Sequence, residues 1–207
     1  MSEQNDEIKR EKVRVIPINL IDDFPDHPFL VKNDESMEQL VHSIEVNGVL
    51  NPVIARKKED ERYELISGHR RKRACQILGI ELIPIIVREM SRDEAVIEMV
   101  DSNLQREHIL PSEKAKAYKM KTDAMRRKAG RPSRENCAPV EHNFDGKRTV
   151  EIIGDENGES REQIRRYIRL NELTPELLEF VDEGKIGMRP AVELSYLQEE
   201  EMRDLVD

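Results

Sequence analysis

The chain has no tryptophan, and aromatic residues fill only 4% of its 207 positions. The side chains that bury most surface are scarce, so small helical subdomains and one modest mixed unit are expected rather than a single broad core. Cysteine is almost absent: Cys75 and Cys137 are the two in the chain. Neither stands in a Cys-x-x-Cys pair or beside a histidine cluster, which argues against a zinc site. Cys75 falls inside a helical pattern and reads as a small core residue; Cys137 reads as a free thiol in a polar loop. No apolar run approaches the roughly 20 residues of a membrane span, and the polar start carries no signal-peptide pattern. A cytoplasmic protein with no membrane partner is the expectation. Positive charge is not in excess either, since 34 Lys and Arg face 43 Asp and Glu for a formal net charge of −9. That excludes a uniform coating for nucleic acid but not a local basic surface. The charge is uneven: residues 1–11, 22–38 and 193–207 are acidic, while 126–134 and 161–169 are basic.

Periodicity divides the chain into two halves. In the first, strands are expected at 13–18, 49–56, 62–66 and 83–87. They alternate with helices that begin at a Ser36-Met37-Glu38-Gln39 capping box, at His69, at a Ser91-Arg92-Asp93-Glu94 capping box and at Pro111. Residues 129–147 carry Pro, Gly and Asn with little periodicity and read as a loop. Beyond them the pattern is short helices and turns. The fold class is therefore α+β, a small mixed α/β N-terminal domain followed by an all-α domain. The expected division is a disordered tail at 1–11, a first domain at 12–110 and a second at 111–207, with a helix-turn-helix near 149–171.

The most informative stretch is 66–78. A strand ends at Gly68, and a helix opens with His69, Arg70 and Arg71. A glycine at such a junction admits close backbone approach, a helix start offers free N–H groups to an anion, and arginine forks add charge-assisted hydrogen bonds. This describes a polyphosphate cradle. The stretch from Asp101 through Ser102, Asn103, Leu104, Gln105 and Arg106 to Glu107 looks like the other half of the same site. Taken singly, Arg70 to Arg73 also fit a solvated helix face, Asn103 a helix C-cap, and Arg56 a strand-edge charge.

Further on, residues 151–160 lead through Gly158 and Ser160 into Arg161-Glu162-Gln163-Ile164-Arg165-Arg166-Tyr167-Ile168. The spacing resembles a helix-turn-helix, with a glycine turn, a Ser160 cap and Ile164 as apolar anchor. Ile164, Tyr167 and Ile168 make an inward face. Arg161, Arg165 and Arg169 recur every four residues on another, with Arg166 beside them, as groove entry and phosphate contact require. Ser160, Arg161, Gln163, Arg165, Arg166 and Arg169 are the candidate DNA contacts. An ordinary surface helix with solvated arginines is the alternative. Arg126-Arg127-Lys128 and residues 131–134 form a further basic patch, read as a contact to the DNA backbone or as a solvated linker.

Three segments together resemble the ParB family of partition proteins: residues 48–56, the Ser67-Gly68-His69-Arg70-Arg71-Lys72-Arg73-Ala74 block, and Asn103-Leu104-Gln105-Arg106-Glu107. They stand in that family's order, ahead of the helix-turn-helix, and the resemblance covers roughly 13–200. The Gly-His-Arg-Arg variant looks like the branch on plasmids and integrative elements. The resemblance implies a first half that binds CTP with Mg²⁺ and a DNA-triggered clamp at a centromere-like parS site on double-stranded DNA. It implies Arg56 near the cytosine; Gly68, His69, Arg70 and Arg71 on the triphosphate; and Asn103 at Mg²⁺, with Gln105 and Arg106 beside it. It also implies a homodimer and a ParA-type ATPase partner that contacts the N-terminal tail. Ser102 departs from the family, which usually has there a Glu linked to hydrolysis; a serine cannot act as a carboxylate base. CTP binding with slow or no hydrolysis is the expectation. The sequence stops at Asp207, short of the family's C-terminal dimerisation domain, so a truncated form of a longer protein is expected.

Two other readings compete. One is a ParB-like transcription regulator of a mobile element without nucleotide hydrolysis. The other is an enzyme, since the same small fold serves sulfiredoxin and a free-serine kinase. Gly68 is followed directly by His69, with no cysteine between, which removes the sulfiredoxin chemistry.

Overall fold

A computed structural model describes residues 12–106, 108–128 and 149–206. The tail at 1–11, the loop at 129–147 and Cys137 lie outside them. The protein is α+β and divides into two compact units: 1–27 with 31–90, and 28–30 with 91–207. This division follows packing density and puts Ser91 at the head of the second unit; the division at 110 follows strand content.

The first unit holds a five-stranded sheet. Its elements are β1 (Val13–Pro17), β2 (Ile21–Asp22), α1 (Glu35–Asn47), β3 (Val53–Lys57), β4 (Tyr63–Ser67), α2 (His69–Ile77) and β5 (Leu82–Arg88). The strand order is β1-β5-β3-β4-β2. β1 pairs antiparallel with β5, and β3 lies parallel to β5 with Val53 opposite Ile85. β3 and β4 form an antiparallel hairpin that sets Lys57 opposite Tyr63, with a register shift between Ile54 and Ala55. The short β2 runs parallel to β4. Along β3, Val53 and Ala55 are buried while Ile54 and Arg56 are half-buried, the period-two alternation of a strand. In β4, Tyr63 to Ile66 are all buried, Glu64 included. One core joins sheet and helices through Met37, Ile44, Val53, Leu65, Ala74, Cys75, Ile83 and Ile85. Cys75 is thus the small buried residue its helical position predicts.

Two local details differ from the sequence reading. Asp34, not Ser36, caps α1: its carboxylate accepts from the Met37 N–H at 3.0 Å, and the Ser36 hydroxyl donates to the same oxygen at 2.7 Å. An ionised acceptor at a helix N-terminus outcompetes a hydroxyl. The strand expected from residue 49 begins only at Val53, since Pro52 has no N–H to give a ladder. The two-residue β2 is too short for a periodicity signal.

The second unit, among its described residues, is helical: α3 (Arg92–Leu104), α4 (Pro111–Lys128), α5 (Thr149–Asn157), α6 (Arg161–Arg169), α7 (Pro175–Asp182), α8 (Met188–Leu194) and α9 (Glu199–Asp204). Ser91 opens α3 with a full reciprocal capping box to Glu94, and Pro111 begins α4, both as the sequence predicts. Two apolar clusters hold the unit together. Tyr118, Val150, Ile153 and Ile164 join α4, α5 and α6. Ala115, Leu170, Leu173, Leu177, Val181, Ala191 and Met202 join α4 to the later helices.

Candidate functional site

The cradle in the first unit is built on the junction of β4 and α2. Gly68 sits there with φ 106° and ψ 23°. A Cβ at this position would lie 2.7 Å from Val53 Cγ1, so glycine is required both by conformation and by space. The side chains that follow are each tied to a different segment of the unit. The His69 ring stacks on His27, with centroids 3.7 Å apart. Arg70 Nη2 donates to Ser36 Oγ at 2.5 Å and stands 3.7 Å from the Asp34 carboxylate. Arg71 Nη1 donates to the carbonyls of Asn51 and Pro52, both at 2.6 Å. Lys72 is buried and donates to Asp23 Oδ1 at 2.7 Å.

The electrostatics differ from one cation to the next. Lys72 is matched by Asp23 and Arg70 by Asp34. Among the described residues Arg71 is held by neutral carbonyls alone, and burial pulls its guanidinium below its usual pKa. A part-buried cation without countercharge carries a desolvation cost that a bound anion would offset. Its two carbonyl bonds also join the helix start to the loop before β3, so two of the sequence-predicted blocks are physically linked.

Arg56 projects elsewhere. Its Nε donates to Glu64 Oε2 at 2.6 Å across the β3–β4 hairpin, an ion pair nearly closed to solvent. Asn103, Gln105 and Arg106 belong to the second unit. Asn103 is buried inside the last turn of α3, and its Nδ2 donates to the Met99 carbonyl at 2.7 Å, so it is not the C-cap; Gln105 is. This bond uses the amide nitrogen of Asn103 and not its oxygen. Ser102 Oγ donates to the same carbonyl at 3.0 Å. Arg106 stands over the Phe29 ring, 5.7 Å from its centroid. Among the described residues no cluster of three or more His, Cys, Asp or Glu is arranged to hold a metal.

The second unit presents a helix-turn-helix made by α5 and α6. Gly158 takes φ 66° in the turn, Ser160 Oγ accepts from the Gln163 N–H at 3.1 Å, and Ile164 is fully buried. The turn needs a second glycine that the sequence reading passed over. A Cβ on Gly154 would lie 2.5 Å from the Glu159 carbonyl oxygen, and the Glu159 N–H donates to the Gly154 carbonyl at 2.9 Å. A residue larger than glycine at 154 would therefore push the turn apart.

The predicted DNA contacts on α6 fall into two groups. Arg165 and Arg166 are exposed, with no hydrogen bond or ion pair among the described residues. Arg161 is committed to Glu151 at 2.7 Å. Arg169 donates from Nε to Ser195 Oγ at 2.9 Å and from Nη2 to the Ser195 carbonyl at 2.7 Å, with its guanidinium 4.2 Å from the Tyr196 ring centroid. Of the basic patch before the loop, Arg127 pairs with Asp93 and Lys128 with Glu94, so both serve the packing of α3 on α4. Lys121 was also missed. It is 1% exposed, and its ammonium donates to Asp101 Oδ1 of α3 and Glu156 Oε2 of α5, each at 2.5 Å. A lysine in a run of helix formers gives no sequence signal of burial.

A family model, the ParB N-terminal domain, matches residues 2–104. The probable chromosome-partitioning protein ParB of Pseudomonas putida is 36% identical over 117 residues, covering 56% of this chain and 40% of its own length. The nucleoid occlusion protein of Listeria innocua is 30% identical over 203 residues, covering 97% of this chain and 64% of its own. The chain thus spans less than two thirds of the length of these curated relatives. Among solved structures, C-terminally truncated ParB from Caulobacter crescentus, complexed to the centromeric parS site, superposes with a TM-score of 0.54 and 25% identity over 89% of this chain and 86% of that one. A Pnob8-like ParB-N domain, at 21% identity and TM-score 0.57 over 89% of this chain and 79% of that one, shares the fold. A glycine-started basic cradle, a helix-turn-helix behind it and relatives over both halves place the chain in the ParB family.

Proposed function

We propose that the chain is a site-specific DNA-binding protein of the ParB type that works in partition of a chromosome or mobile element, with α6 as its reader. The observation that carries this reading is the pair Arg165 and Arg166, exposed and unpaired among the described residues on a capped helix behind a two-glycine turn. The Caulobacter relative supports it, being a ParB complexed to parS. Selection of bound duplexes from a randomised pool tests it. Enrichment of one inverted-repeat motif, lost in an Arg165→Gln/Arg166→Gln double variant, is expected. Failure to enrich any motif, or enrichment that survives the double variant, overturns it.

The cradle adds a nucleotide switch to this reading. CTP is the ligand, with its triphosphate on the α2 N-terminus and on Arg71, which among the described residues is bonded to carbonyls only. Asn103 is chemically suited to Mg²⁺, a hard cation that takes one or two protein oxygens beside phosphates and water. Ser102 brings no carboxylate, so bound CTP is turned over slowly or not at all. Calorimetric titration with CTP, ATP, GTP and UTP in Mg²⁺ decides the point. Selective CTP binding lost in Arg71→Ala supports the switch; no binding of any nucleotide, with DNA present, leaves a plain DNA-binding regulator. A second copy of the chain and a ParA-type ATPase are the partners this reading adds.

A further inference from the structure

We infer that Arg169 and Tyr196 form a clamp for a DNA phosphate at the C-terminal end of the reader helix. The inference rests on the DNA-binding reading and adds to Arg169, the last residue of α6, a partner outside the helix-turn-helix, Tyr196. Four residues separate Arg165 from Arg169, which places them about 40° apart around the α6 axis and about 6 Å along it. Arg169 therefore continues the arc on which Arg165 lies exposed. Its side chain is held in place: Nε and Nη2 are both engaged by Ser195, which is 3% exposed, and the guanidinium lies over the Tyr196 ring.

Two consequences follow from the chemistry of those partners. Ser195 Oγ, the Ser195 carbonyl and an aromatic ring are all neutral, so the full positive charge of Arg169 remains, unlike that of Arg161, which Glu151 cancels. The fork is also preorganised, because two of its five N–H donors are spent on fixing it, and both hydrogens of Nη1 and one of Nη2 are left for an acceptor. A planar cation locked in that way suits the oxygens of a phosphate, which need no side-chain rearrangement to be met. Tyr196 is 64% exposed, a large value for a ring that stacks on a cation. Its hydroxyl adds a second donor of the kind that positions DNA backbone. Exposed acids flank the pair in the chain, Glu193 before Ser195 and Glu199, Glu200 and Glu201 after Tyr196. Their charge opposes phosphate, so the clamp fits the edge of a DNA footprint rather than its centre.

A phosphate contact is blind to sequence, so a duplex of arbitrary sequence is a sufficient probe. Fluorescence anisotropy of the whole chain on such a duplex, across a salt series, is the experiment. Tyr196→Phe keeps the ring under the guanidinium and removes only the hydroxyl, so a loss of about 2- to 5-fold in affinity with an unchanged salt slope is expected. Arg169→Gln is expected to lose roughly 10-fold and to reduce the slope by about 0.9, the value of one phosphate on B-DNA. A purely structural role for the pair would lower the melting temperature and leave the slope alone. Wild-type affinity and slope in Tyr196→Phe would overturn the clamp, and this variant decides the question if Arg169→Gln fails to fold. Absence of DNA binding by the wild-type chain would instead sink the DNA-binding reading, and the clamp with it.

Discussion

The demands on single residues separate the glycines of this chain. Gly48 and Gly68 both hold a positive φ, but a Cβ on Gly48 meets open space, whereas one on Gly68 runs into Val53. Gly48→Ala is expected to cost about 1–3 kcal/mol, the strain alone of φ 70° with ψ −173°, a region reached essentially by glycine. Gly68→Ala adds a clash with a fully buried side chain, so roughly 3 kcal/mol or more is expected, together with loss of nucleotide binding. Chemical denaturation of the two variants side by side checks the ordering, and equal costs would mean that Val53 gives way. Lys121 poses the opposite problem, a buried cation between two carboxylates that remain about half exposed, at 44% and 50%. Lys121→Met leaves only solvated acids behind and is expected to change stability by about 1 kcal/mol or less. Asp101→Asn with Glu156→Gln strands the ammonium in the interior and is expected to cost about 3–5 kcal/mol. Neither Gly154 nor Lys121 was legible in the sequence, because each requirement arises from a neighbour many residues away or across a turn. Gly158 and Ser160 were legible, because their reasons lie in the adjacent residues; for Gly68 only the strand-to-helix junction was, and its close approach to Val53 on β3 was not.

At the scale of elements, the signals that proved readable were local ones. The Ser91–Glu94 capping box, the proline that opens α4 and the alternation in β3 are all written within four residues of where they act. The α1 cap was misplaced by two positions because the Ser36–Gln39 spacing fits a capping box while Asp34, followed three residues on by Met37, does not; only the geometry shows that the Asp34 carboxylate takes the Met37 N–H. The capping box at α3 carries a pH prediction. The Glu94 carboxyl accepts from the Ser91 backbone N–H, from the Lys128 ammonium and from the Ser91 hydroxyl, and these hold it at about 2 against an ordinary 4.5. A folded-state value below the unfolded one means that the contribution is complete above 4.5 and is lost as pH falls toward 2. The wild-type melting temperature should therefore drop more steeply across that window than that of Glu94→Gln, which has no charge to lose there. Identical pH profiles would show that the box does not stabilise α3. Ser91→Ala at neutral pH is expected to cost about 1 kcal/mol.

For the whole molecule the proposed function raises the question of how an acidic chain would hold on to DNA. A formal net charge of −9 repels a polyanion, so attraction has to come from a few cations that the protein has not already cancelled. Among the described residues of the reader helix, Arg161 is paired with Glu151. Arg165, Arg166 and Arg169 keep their charge. Three phosphates per chain correspond to a slope of log affinity against log salt of about −2.7, and two copies on an inverted repeat to about −5. These are shallow values for a DNA-binding protein. A single chain should therefore bind non-specific duplex weakly, in the range of roughly 10⁻⁴ to 10⁻⁶ M at physiological salt. Discrimination would then depend on base contacts and on pairing of two chains rather than on bulk charge. Anisotropy titrations in a salt series, with stoichiometry fixed by light scattering, test this directly. A slope near −3 per chain confines the contacts to α6. A slope near −5 per chain would assign further phosphates to the basic stretch around Arg131 and Arg134, and would recast α6 as only one part of the DNA-binding surface.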